Sequence, residues 1–292
     1  MAKARKILKR VRAVGNIRTV TKTMEMVAST RFRRAHVRAV AARPYTDRLS
    51  DLVGDLVERC GQDMLRHPLL TEPEHLHRDV LLVITSNAGM CGGYNAALLS
   101  VAAARYKQLT GAGYEVLLWV AGRRGLGSLR FRGFPIDRAL TGFDHQPAFA
   151  PAAELAEELM TDFAAGRISG LEVAYTQYLP SGRQSAVIAQ LLPLTYTAPP
   201  TPPGLIPPPY ELVPSAQAIL DKLLPATVRL RLYQCFLDAA VTEQLTRARA
   251  MRSATENADE MLHDLTITYN RVRQAQITTE LAEILGGSAE VS

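Results

Sequence analysis

No run in this chain approaches the ~18 consecutive apolar residues of a membrane-spanning helix, so no segment is expected to cross a bilayer. The start is charged from Lys3 onward with no apolar signal-peptide region, so the chain is expected to stay where it is made. Cysteine is scarce. Cys60, Cys91 and Cys235 are odd in number, widely separated and matched to no disulfide or zinc spacing, which suits a reducing compartment. The histidines at 36, 67, 75, 77, 145 and 263 form no metal-ligating pattern, and His75 with His77 lacks a third ligand. No serine triad, carboxylate pair or zinc motif is present. Catalysis by this chain is not expected, and neither a cofactor nor a metal is implied.

The two ends are nearly free of helix breakers. From Ile7 to about Arg43 there is one glycine, Gly15, and no proline; from Ala226 to Leu285 there is neither. Apolar residues at Ile7, Val11, Val14, Ile17, Val20, Met24 and Val27 step by three and four. The second stripe runs through Phe236, Leu245, Ala254, Ala258, Leu262, Leu265, Tyr269 and Val272, then slips to Ile277, Leu281 and Ile284. Such a period is an amphipathic helix, and a length much beyond ~25 residues argues for a coiled coil. At 1.5 Å per residue, ~60 residues would make a rod of roughly 90 Å.

Charge is uneven. Residues 1–48 hold fourteen Lys and Arg against Glu25 and Asp47, a balance of +12 in a chain whose total is +6, which leaves −6 for the remainder. An arm of that density reads as a surface for nucleic acid, an anionic membrane or an acidic protein, or as a solvated helix face. Its only aromatics are Phe32 and Tyr45, with no stacking pattern for nucleic acid.

Between the ends the pattern changes. Arg43-Pro44 marks a bend, with helix continuing to about Cys60 and a loop from His67-Pro68 to Glu72-Pro73. The continuous apolar run Val80–Thr85 is expected to be a strand buried on both faces. Helices are expected at 96–109 and 152–165, and strands at 115–121, 171–178 and 185–192. Alternating strand and helix predicts an α/β layer with a largely parallel sheet. Pro199-Pro200, Pro202-Pro203 and Pro207-Pro208-Pro209 make an extended linker, after which a helix starts at Ser215 and Pro225 interrupts or restarts it.

Gly89-Met90-Cys91-Gly92-Gly93-Tyr94-Asn95 sits between a strand and a helix, where a phosphate-cradling loop would lie. Its glycine spacing fits neither the dinucleotide fingerprint nor a P-loop, and Cys91 has no basic neighbour in sequence to activate it. Gly89, Cys91, Gly92 and Gly93 therefore read as a tight structural turn around a buried cysteine. Gly122-Arg123-Arg124-Gly125 reads as a solvated turn rather than a phosphate site.

Residues 7–35 and 242–287 resemble the gamma subunit of F-type ATP synthases, the central rotor shaft. The resemblance is carried by Asn16, Thr21-Lys22 and Met24-Glu25-Met26-Val27-Ala28 at one end. At the other it is carried by Glu243, Arg247, Ala250-Met251, Ala254-Thr255, Asn257-Ala258, Tyr269-Asn270, Arg273-Gln274 and Ile277-Thr278. In the middle, Gly89–Asn95 is similar to the family's Gly-Leu-Cys-Gly-Gly-Leu-Asn, and Gln190–Leu194 also recurs. The chain departs at Asn87-Ala88, where the family has an Asp-Arg pair, and in its proline-dense linker.

The resemblance implies an α/β fold class: a long antiparallel coiled coil from the N- and C-terminal helices plus a central Rossmann-like α/β domain. The expected divisions are 1–60 and 215–292 for the coil, 75–197 for the central domain and 198–214 for the linker. It implies a non-catalytic rotor coupling ion flow to ATP synthesis or hydrolysis. The implied partners are the α and β subunits of the catalytic ring, the epsilon subunit and the c subunits of the membrane rotor ring, with no nucleic acid and no direct membrane span. The implied location is the cytoplasmic face of the bacterial cell membrane, as a peripheral protein. Met24, Arg273 and Gln274 match positions that meet the β subunits. The alternative reading is a basic helical nucleic-acid-binding or scaffold protein.

Overall fold

The computed structural model describes residues 2–60, 67–71, 76–143, 145–179, 181–195 and 215–289. In order, the elements are α1 (Ala2–Cys60), β1 (Arg78–Ile84), α2 (Tyr94–Gly111), β2 (Glu115–Ala121), α3 (Arg123–Phe131), β3 (Arg138–Leu140), α4 (Phe149–Ala164), β4 (Gly170–Tyr178), β5 (Gln184–Leu192) and α5 (Ala216–Ala289). They group into two compact units, residues 1–29 with 247–292 (unit 1) and residues 30–246 (unit 2).

The apolar run of β1 is buried because it lies in the middle of the unit 2 sheet. The strand order is β3-β2-β1-β4-β5. β1 pairs parallel with β2 and β4, β2 with β3 likewise, and β5 returns antiparallel to β4. Alternate side chains feed opposite cores, as the two-residue period of a strand requires. Val80, Leu82 and Ile84 pack with Leu155, Leu159 and Phe163 of α4 and with Leu220, Leu224, Val228 and Leu232 of α5. Leu81 and Val83 join Leu98, Leu99 and Ala102 of α2 and Leu129 of α3. Helices thus cover both faces, the architecture that an alternating strand–helix sequence predicts.

Two local expectations are corrected. Pro225 lies inside α5 without interrupting it, while Pro44 lies inside α1, which continues to Cys60 as expected. In α5, buried Leu220, Leu224, Val228 and Leu232 carry one stripe through the proline, so tertiary burial outweighs the lost backbone bond. Residues 123–131, read as a turn at their start, form α3, and β3 follows. Gly125 and Gly127 lower helix propensity there. Packing requires Gly125, because a Cβ would stand 2.4 Å from Thr85 Oγ1. The proline-dense segment 198–214 lies outside the described residues.

In unit 1 the two helices run antiparallel, because partners rise along one as they fall along the other. Arg18 pairs with Asp259, Thr21 with Thr255 and Glu25 with Arg252. The inward positions of α1 are Ile7, Val11, Val14, Thr21, Glu25 and Ala28; those of α5 are Met251, Thr255, Ala258, Leu262, Leu265, Tyr269, Val272 and Gln276. Both follow the 3.5-residue repeat of a left-handed coiled coil. The apolar stripe read from sequence leaves this seam. Ile17 and Val20 are 55% and 56% exposed, Val27 is 45% exposed, and at the slip Ile277 and Leu281 are exposed while Gln276 turns in. The seam follows a strict seven-residue repeat and takes polar Thr21 and Glu25 with it, whereas the apolar residues step by three too often to stay on it.

Candidate functional site

The turn after β1 is knotted to the turn after β2 by side chains. Thr85 Oγ1 donates to the Ala121 carbonyl at 2.8 Å and accepts from the Gly125 N–H at 3.1 Å. The Arg124 N–H donates to the Ser86 carbonyl at 3.0 Å, and the Arg123 N–H to Asn87 Oδ1 at 3.1 Å. The first three N–H groups of α3, which would face a phosphate in a nucleotide-binding sheet, are therefore already bonded within the chain. Asn87 Nδ2 reaches on to the Phe143 carbonyl at 3.0 Å, so this one amide joins three loops at the C-terminal edge of the sheet. That bridge needs a donor and an acceptor on one side chain, which an aspartate lacks.

Within Gly89–Asn95, the glycines differ in what they do. A Cβ on Gly89 would meet only the movable end of the Arg124 side chain, whereas Gly92 has φ of 55°, which favours glycine. Gly93 has open space around it and an ordinary φ of −81°. Cys91 is 3% exposed, beside Ser86 Oγ at 3.7 Å, and accepts from Asn95 Nδ2 at 3.3 Å. Asn95 also accepts from the Ser86 N–H at 3.1 Å and donates to Ser86 Oγ at 2.7 Å. Tyr94 donates its hydroxyl to the Ala239 carbonyl of α5 at 3.3 Å. Burial, with Glu243 nearby, raises its pKa far above the ordinary range. The turn is a joint between sheet and helices.

A second polar cluster lies among α1, β4, β5 and α5 in unit 2. Arg43 Nη2 donates to the Tyr178 carbonyl at 2.7 Å and to Asp238 Oδ1 at 3.2 Å. Gln234 Nε2 adds a 2.9 Å bond to the same carboxylate, whose side chain is 2% exposed. Burial raises the Asp238 pKa, opposed by Arg43 and by these hydrogen bonds. Next to it, burial and Asp238 push the Cys235 thiol up to about 12, so it is neither a nucleophile nor a metal ligand at neutral pH. A cleft of about 450 Å³ opens beside these groups, lined also by Asp47, Asp51 and Arg231. Arg43 and Asp238 stand 195 positions apart in sequence, and no local pattern marks them as partners.

In unit 1 the surface carries the remaining candidates. Arg273 and Gln274 are exposed, and Met24 is half-buried beside the seam. Ile17, Val20, Met26 and Val27 on α1, and Met261, Ile267, Ile277 and Leu281 on α5, are large apolar side chains between 45% and 63% exposed. Sequence reading placed five of them, Ile17, Val20, Val27, Ile277 and Leu281, inside the coil; a seven-residue template would have put them outside it. Among the described residues no group of three or more His, Cys, Asp or Glu could hold a metal ion. None of the described helices is long and apolar enough to cross a membrane.

Comparison with known proteins bears on these surfaces. A family model described as ATP synthase matches residues 3–291. The chain is 40% identical over 292 residues to the ATP synthase gamma chain of Rhodopirellula baltica, covering 98% of each. It is 37% identical over 289 residues to that of Frankia casuarinae, covering 97% of this chain and 96% of the relative. Its fold is similar to a chain in the Euglena gracilis mitochondrial ATP synthase, from a structure of its OSCP/F1/c-ring in rotational state 3. That match has a TM-score of 0.66 at 18% identity and covers 99% of this chain and 95% of the other.

Proposed function

The chain belongs to the ATP synthase gamma-chain family, and on that premise we propose that it is the central-stalk rotor subunit of an F-type ATP synthase. In this role it has no substrate. It couples ion flow to ATP synthesis or hydrolysis by presenting different contacts to each β subunit in turn, so that each angle stabilises a different β conformation. The observation that carries the reading is the outward placement of Ile17, Val20, Met26 and Val27 beside the seam of unit 1, where the coil does not bury them. Exposed apolar side chains in such number mark a surface that another protein covers.

On this reading Met24, Arg273 and Gln274 face the β subunits. Arg273 suits bidentate contact with a carboxylate, and the unbranched Met24 can slide past a neighbour. The partners are the α and β subunits, the epsilon subunit and the c subunits of the membrane ring. The likeness to a chain within an F1/c-ring assembly supports this set. The protein sits at the cytoplasmic face of the bacterial cell membrane without spanning it. Of segments 1–60 and 215–292, the outer parts 1–29 and 247–292 form the coil, while 30–60 and 216–246 fold with the central domain. The knotted turns after β1 and β2 support a non-catalytic role, because they occupy the place where a nucleotide would bind. Gel filtration with purified α and β subunits tests the proposal: a stoichiometric complex is expected, and elution of the chain apart from the ring would overturn it.

A further inference from the structure

One face of α3 is unlike the rest of unit 2. Phe131 is 93% exposed, although three residues later Phe134 is packed against Tyr106 at 5.3 Å between ring centroids. The fold thus packs one aromatic of this segment, half-buried, and leaves the other in solvent. Around Phe131 on the same helical arc lie Arg123, Gly127 and Arg130, with Arg132 just past the helix end, and all three arginines are exposed. Their side chains make no hydrogen bond or ion pair among the described residues. Arg138, by contrast, pairs with Glu158 and lies over Trp119. Residues 122–136 hold four arginines and no acid, whereas the chain beyond the basic arm is net negative. The nearest acid, Asp137, is occupied with the Leu118 N–H at 2.7 Å.

Gly127 adds an independent observation. No atom lies within 4 Å of a Cβ built there, and its φ is not positive, so the fold does not need glycine. Glycine inside a helix is unfavourable relative to alanine. What it provides is bare backbone at the centre of a face ringed by Arg123, Arg130 and Phe131, where another chain can approach closely.

We propose that the face of α3 formed by Arg123, Gly127, Arg130 and Phe131 docks an acidic protein segment, with Phe131 as the apolar anchor. The cations are all arginine, whose planar fork pairs bidentately with carboxylates and tolerates partial desolvation better than lysine. Arginine and aromatic residues are enriched at interface centres. A lipid headgroup or a nucleic-acid backbone would gain nothing from the bare surface at Gly127, and one aromatic makes no stacking series for bases. The inference does not depend on the rotor reading.

The test places a photoreactive benzoylphenylalanine at position 131 of the full chain, with a control at exposed Glu154 on α4. Cells are irradiated and the cross-linked peptide is sequenced. The expected result is one adduct from 131, absent from 154, with a segment of another polypeptide rich in Asp and Glu. Its yield should fall about tenfold or more in the Arg123→Glu, Arg130→Glu variant, as loss of a few charge-assisted contacts requires. Gly127→Leu should cut the yield similarly while the chain melts no earlier, since leucine favours helix and its Cβ there has open space around it. Adducts only with lipid or nucleic acid, a non-acidic peptide, or a yield indifferent to all three substitutions would overturn the proposal.

Discussion

In unit 2, Leu81, Leu82, Val83 and Ile84 are each 4% exposed or less, and helices close over both faces of the sheet they occupy. In unit 1, two helices meet through Thr21, Ala28, Met251, Thr255 and Ala258, while larger apolar residues such as Ile17 and Val20 point outward. A core built like the first holds a fold by burial of area. A seam built like the second mixes half-buried apolar residues with small and polar ones, and its hydroxyl pair and ion pairs specify which residues face each other more than they add stability. Thr21 and Thr255 share a 2.9 Å hydrogen bond, yet each hydroxyl can turn instead to its own helix, at the Arg18 and Met251 carbonyls. Stability should therefore be concentrated in unit 2, and tolerance of substitution in unit 1.

The largest effect that would sharpen this comparison is in the sheet core. Leu159→Ala should cost about 2–5 kcal/mol, because Leu159 is fully buried between α4 and the sheet. Urea unfolding would measure it, and a loss no greater than that of an unit 1 seam substitution would break the contrast. Next is the pair at Arg43 and Asp238. Removing Arg43 leaves a carboxylate of 2% exposure without its cation, a loss of about 2–3 kcal/mol given that Arg43 itself retains some solvent. Asp238→Asn in the same chain should recover most of it.

The same carboxylate gives a pH signature. Burial raises the folded pKa of Asp238 above its unfolded value, so the folded chain holds this proton more tightly. Its contribution to stability is full below the unfolded pKa and is lost as pH rises through the folded one. As pH rises above about 4, the ordinary aspartate value, Asp238→Asn should gain stability relative to the parent chain. An equal change in both would place the titration elsewhere.

Smaller effects follow at the loops and the seam. Asn87→Asp keeps the acceptor for Arg123 but loses the donor to Phe143, and should cost about 1 kcal/mol by thermal melting; Asn87→Ala loses both and should cost about 1–2 kcal/mol. The double change Thr21→Val, Thr255→Val removes a matched pair of hydroxyls without changing shape, so it should lie within about 0.5 kcal/mol of the parent. Thr21→Val alone should be no worse than about 1 kcal/mol, since Thr255 can still donate to the Met251 carbonyl.

How far the sequence anticipated this depends on which force set each part. β1 was legible because a strand buried on both faces must be apolar throughout, and Val80–Ile84 is. The antiparallel coil was legible in outline from two breaker-free ends. Its seam was not, because Thr21, Glu25 and Gln276 occupy inward positions while Ile17, Val20 and Ile277 do not. Apolar periodicity finds the seam only where apolar residues fill it. α3 was hidden by Gly125 and Gly127, one required by contact with Thr85 and the other unexplained by packing. The turn at 89–93 was legible as a tight strand-to-helix connection from its glycines. The role of Asn87 was not, since its partners at Arg123 and Phe143 come from distant loops.

The most direct test takes Arg273→Ala, Gln274→Ala into the assembled complex and measures the ratio of ATP hydrolysed to ions pumped in membrane vesicles. Both residues are exposed and lie off the seam, so the isolated subunit should melt within about 0.5 kcal/mol of the parent. Lost charge-assisted contacts, each worth about 1.5–3 kcal/mol where they form, should nevertheless shift the coupling ratio. An altered ratio with unchanged melting is the predicted result. An unchanged ratio, or a subunit that unfolds early, would contradict the division between a region that holds the fold and a region that performs the work.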